Sequence, residues 1–124
     1  MILSNIDNNS IAATLSGPLK GVDFDAVYTA QNIGSYKPDL KNFKYLVEGV
    51  EKDLGVIKAE ILHTAQALMH DHEPAKIMGL RSAWIDREEE EDLLEEVREK
   101  VEFTWRFRTM GEMSEEVEKE FRGL

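Results

Sequence analysis

Apolar positions recur along the chain with two periods, and the change from one period to the other marks out its elements. Leu40, Phe43, Leu46, Val47, Val50 and Leu54 repeat at helical spacing and Gly55 follows, which predicts a helix stopped by a glycine. Ile61–Ala65 is a short, mostly apolar run, as expected of a parallel strand covered on both faces. Pro74 then suits the first turn of a helix, where its missing N–H costs nothing, and Gly79 suits the position just past the helix end. Ser82–Ile85 reads as the next strand, so the stretch from Ile61 to Arg87 is strand, polar turn, short helix, strand.

The flanking segments continue the alternation. Met1-Ile2-Leu3 reads as a strand end, Ser10 as the cap of a helix over Ile11–Leu15 closed by Gly17-Pro18, and Ala26–Thr29 as a strand. Gly34 to Asp39 is a loop, with Pro38 and Asp39 opening the long helix. Glu88–Lys100 reads as an acidic helix with Leu93, Leu94, Val97 and Val101 on one side. Phe103–Phe107 alternates as a strand with one buried face. Thr109 and Glu112 have capping-box spacing before Met113, Val117 and Phe121, which repeat every four residues. This order predicts an α/β fold with a parallel sheet.

Charge then narrows the partners. The net charge is −10, from 25 acids against 15 bases, which argues against nucleic acid or an anionic membrane surface. With no cysteine there is no disulfide, thiolate chemistry or cysteine-type zinc site. No apolar run approaches the ~20 residues that span a bilayer, and Met1–Lys20 lacks the pattern of a secretory signal. The expected place is the cytoplasm, and 124 residues make one domain.

Three polar signals follow strand ends, where open α/β sheets place their ligands: Ser4-Asn5, Lys37 and Asp71. A small hydroxyl or amide can bind an anionic group. A lysine can neutralise and orient a carboxylate, and a carboxylate can orient that lysine or help activate water. Each also has an ordinary reading: Ser4-Asn5 as a turn, Lys37 as a solvated loop residue, Asp71 as the cap of the helix containing Pro74. His63, His70, Asp71 and His72 form a second cluster with ligand chemistry, although a strand and its turn place such residues together without a metal.

Taken in order, these elements resemble the haloacid dehalogenase (HAD) superfamily. Leu3-Ser4-Asn5 looks like its second motif and Tyr36-Lys37-Pro38-Asp39 its third. The Asp71 turn, with Pro74-Ala75-Lys76, Gly79 and Trp84-Ile85-Asp86-Arg87, looks like its fourth. The resemblance is to type II 2-haloacid dehalogenases of the fungal type, with His-Asp-His in the fourth motif, and runs from residue 2 to the last helix. It implies a hydrolase in which an aspartate displaces halide from a 2-haloacid and the ester is hydrolysed, with no cofactor or metal. It also implies that Ser4 and Asn5 bind the substrate carboxylate, Lys37 pairs with the nucleophile, and Asp71 holds Lys37 or positions water. Gln66-Ala67 departs from the dehalogenases' usual Ser-Asn pair. The phosphatase relatives, which use magnesium, are the alternative chemistry.

The first motif, a strand ending in Asp-x-Asp or Asp-x-Thr, and the cap that follows it have no counterpart in these residues. Asp23-Phe24-Asp25 precedes a strand instead of following one. The expectation is therefore a partial Rossmann-like core without its central strand, carrying the second to fourth motifs, inactive alone and prone to self-association through the open sheet. A non-catalytic binding or assembly module is the other class of function it suits.

Overall fold

The computed structural model describes residues 1–88 and 95–123. The chain divides into two compact units, residues 1–61 and 62–124.

The first unit contains β1 (Ile2–Ser4), α1 (Asn8–Ser16), β2 (Val27–Thr29), α2 (Ala30–Ile33) and α3 (Leu40–Leu54). The two strands are parallel with Ser4 opposite Thr29, so their C-terminal ends coincide. The long helix forms as expected. Asp39 caps it by accepting from the Lys41 N–H, and Gly55 ends it in the left-handed region at φ 66°. Its buried face includes Phe43, Leu46 and Val50, together with the polar Asn42, while Leu54 is 39% exposed.

Two local expectations are corrected. The cap of α1 is Asp7, not Ser10, because its carboxylate accepts both the Ser10 N–H (2.7 Å) and the Ser10 hydroxyl (3.0 Å). That backbone donor holds the Asp7 carboxyl below its ordinary pKa. The short α2 escapes pattern reading because four residues are too few to show a period; Thr29 Oγ1 caps it by accepting the Asn32 N–H.

The second unit is a three-stranded parallel sheet in the order β3-β4-β5, from β3 (Leu62–Ala65), β4 (Arg81–Ile85) and β5 (Trp105–Phe107). A π-helical turn over Leu68–His72 leads into α4 (Glu73–Ile77), and α5 (Glu95–Lys100) and α6 (Met110–Arg122) complete the unit. Double-sided burial belongs to β4, where Ser82, Ala83, Trp84 and Ile85 are all buried. The expectation of such burial for β3 is corrected: Leu62 is 40% exposed and the rest of the strand half-buried, as suits a strand at one end of this sheet.

Thr109 caps α6 by accepting the Glu112 N–H, whereas Glu112 reaches back to the Arg108 N–H instead of the cap residue's own. Leu93, Leu94 and the acids at 89–92 lie outside the described residues. Among the described residues, no helix is long and apolar enough to cross a membrane.

Candidate functional site

Parallel strands bring their C-terminal ends to one edge, and the candidate residues collect there in each unit. In the first unit, Ser4 is the last residue of β1 and Asn5 the first beyond it. The Asn5 side chain reaches Lys37 in the loop before α3. Its Oδ1 accepts the Lys37 N–H at 2.7 Å and its Nδ2 donates to the Lys37 carbonyl at 3.2 Å. The Lys37 Nζ donates to the Leu3 carbonyl in β1 at 3.4 Å. The loop carries a cis Lys37–Pro38 peptide, and Asn42 ties its start to α3 by donating to the Ser35 carbonyl at 2.9 Å. Three residues expected at the site, Ser4, Asn5 and Lys37, therefore share one strand end.

Asp71 lies in the second unit, in the π-helical turn after β3. It does not cap the helix containing Pro74. Its carboxylate is buried and faces His63 of β3, with Oδ1 2.9 Å from Nε2. A carboxylate accepts only, so the imidazole proton of this pair sits on Nε2.

The neighbouring His72 is fully buried, and burial pushes its pKa below the ordinary 6.5. As a neutral ring it donates from Nε2 to the Ala65 carbonyl (2.8 Å) and accepts at Nδ1 from the Ser82 hydroxyl (3.0 Å). Ser82 has one hydroxyl proton and a second acceptor within reach, the Glu102 carbonyl at 3.1 Å, so His72 and Glu102 compete for it. Among the described residues, no three His, Cys, Asp or Glu side chains converge as metal ligands.

Asp86, immediately after β4, is a buried acid whose placement obeys the same strand-end rule as Asp71. Arg106 of β5 donates to it through both Nε, at 3.0 Å, and Nη2, and its guanidinium stacks 4.7 Å above the Trp84 ring. Trp84 in turn donates to the Gln66 carbonyl at 3.0 Å and packs on Phe103 at 5.1 Å. Asp86 is not among the candidates picked from the sequence, although its position after a strand could have marked it; no sequence spacing links it to Arg106, 20 residues on. Trp84 is buried and Phe103 half-buried beside it, but Trp105 is 46% exposed, which corrects its expected place on a buried sheet face. A cavity of about 470 Å³ at the ends of β3 and β4 is lined by Gln66, Ala67, Met69, Trp84, Asp86 and Val97.

By sequence, no family model matches the chain and no curated protein is significantly similar to it. By structure, it is similar to hydrolases of the HAD type. A HAD phosphatase from Thermococcus onnurineus superposes with a TM-score of 0.63 at 26% identity, over 90% of this chain and 46% of that one. A dehalogenase solved with an intermediate complex gives 0.73 at 18% identity, over 90% and 45%. The HAD-hydrolase YfnB of Bacillus subtilis, bound to magnesium, gives 0.69 at 16%, over 90% and 44%. The chain thus spans less than half the length of these structures, and over that part it has their α/β fold with parallel sheets.

Proposed function

We propose that these residues form part of a HAD-like hydrolase that dehalogenates a small 2-haloacid through an aspartyl ester. The observation that carries the reading is Lys37 meeting Asn5 at the C-terminal end of a parallel strand, within a fold similar to a dehalogenase's. In this reading Lys37 pairs electrostatically with the attacking carboxylate, Ser4 and Asn5 face the substrate carboxylate, and Asp71 helps position water. The cytoplasm is the proposed setting.

The stretch is inactive by itself in this reading. Asp23 and Asp25 precede β2, and Asp86 is buried against Arg106, so none of the three serves as nucleophile. The experiment is halide release from 2-chloropropionate. The purified 124 residues are expected to release none. Fused behind the first-motif strand and cap of a dehalogenase they are expected to release halide, and Lys37→Ala is expected to abolish it. Release by the unfused stretch, or a fully active Lys37→Ala fusion, refutes the assignment.

The magnesium-dependent phosphatase alternative fits these residues less well. It needs a fourth-motif acid free to bind the ion, and Asp71 is buried against His63. A second reading, an assembly module that pairs with another copy of itself, is favoured by exposed apolar side chains. Leu62, Trp105, Val117 and Phe121 are 40%, 46%, 41% and 72% exposed around one groove. A discrete dimer in light scattering favours it; a monomer at high concentration removes it.

A further inference from the structure

Both main-chain polar groups of Lys37 are bound by one side chain, that of Asn5. Asn5 and Lys37 are 32 residues apart, so no local turn brings them together. One planar amide accepts from the Lys37 N–H and donates to the Lys37 carbonyl, closing on both backbone polar groups of a single residue. One hydrogen bond would leave that residue free to swivel, whereas two to the same residue fix its position and its rotation. Asn42 anchors the loop at Ser35 from the other side. With the backbone fixed between these points, the Lys37 side chain runs back to the Leu3 carbonyl, two residues before Asn5, which puts the amine over the end of β1.

We propose that Asn5 is a positioning residue for Lys37: its amide clamps the lysine's backbone and so aims the amine at the end of β1. This rests on the reading of Lys37 as the partner of the nucleophile. It changes what Asn5 does there, since the amide's main duty becomes the lysine and not the substrate.

The experiment needs no catalysis and uses the full 124-residue chain. Amide hydrogen exchange reports the backbone clamp. Limited acetylation with acetic anhydride, mapped by peptide mass, reports the amine, with the exposed Lys41 and Lys44 as internal comparators. Asn5→Ala is expected to speed exchange at the Lys37 amide about five-fold or more, as loss of one hydrogen bond would, and to raise Lys37 acetylation relative to Lys41, with α3 amides unchanged. Asn5→Asp keeps the acceptor and loses the donor, so it should leave the Lys37 amide protected while still raising acetylation; it also keeps the test open should Asn5→Ala not fold. Unchanged Lys37 exchange and acetylation in both variants overturns the proposal, and so does an equal loss of protection throughout residues 1–61. Should the clamp be found while the fusion releases no halide, the dehalogenase reading fails and the positioning role stands.

Discussion

The two candidate residues with catalytic chemistry differ in which of their groups the neighbouring chain grips. In the first unit both peptide groups of Lys37 are bound by the Asn5 amide, and its amine reaches the Leu3 carbonyl at 3.4 Å from a half-buried site. In the second, Asp71 is gripped by its functional group, a buried carboxylate facing an imidazole 2.9 Å away. A long flexible side chain on a fixed backbone can turn its charged end within a set reach. A buried carboxylate on a fixed side chain is bound to its neighbours' protonation and packing. A loss of function at Lys37 should therefore cost less stability than one at Asp71, where function and stability are tied together.

The comparison breaks most visibly at the centre of the second unit. Trp84→Ala removes a ring that is 2% exposed, its stacking on Phe103 and Arg106, and its bond to the Gln66 carbonyl. Urea denaturation is expected to register a loss of about 3–5 kcal/mol. Next in size is Asp71→Asn, which keeps the shape and exchanges the charged acceptor of His63 for an amide. It should cost about 1–3 kcal/mol, whereas Lys37→Met, which keeps the bound backbone, should cost less, about 1 kcal/mol or under. Equal losses at the two positions would erase the distinction.

The smallest expected effect is on pH dependence. His72 has its folded pKa below 6.5, so as pH falls the unfolded chain takes up that proton before the folded one does. Its contribution to stability is fully present above pH about 6.5 and is lost as pH falls below that toward the folded value. His63 and Asp71 face the same ring and act on it in opposite directions, as like and unlike charges. The melting temperature of the parent should fall with pH in this window more steeply than that of His72→Gln, even though the variant is less stable throughout. Parallel profiles would show that burial of His72 has no titration consequence.

The elements that pattern alone makes legible are those whose cause is local. The helix Leu40–Leu54 with its Asp39 and Gly55 ends, the capped Met110–Arg122, and the strands around Thr29, Thr64 and Trp84 follow from periodicity and terminal residues within a few positions. The strand-end rule likewise placed Ser4-Asn5, Lys37 and Asp71 at C-terminal strand edges. Tertiary structure decided which neighbour each side chain meets: Asn5 with the Lys37 backbone, His63 with Asp71, and Arg106 between Asp86 and Trp84. It decided also that β4, not β3, is the strand covered on both faces. Those outcomes depend on strand order and on contacts 8 to 32 residues apart in sequence, and a periodic pattern carries no record of strand order.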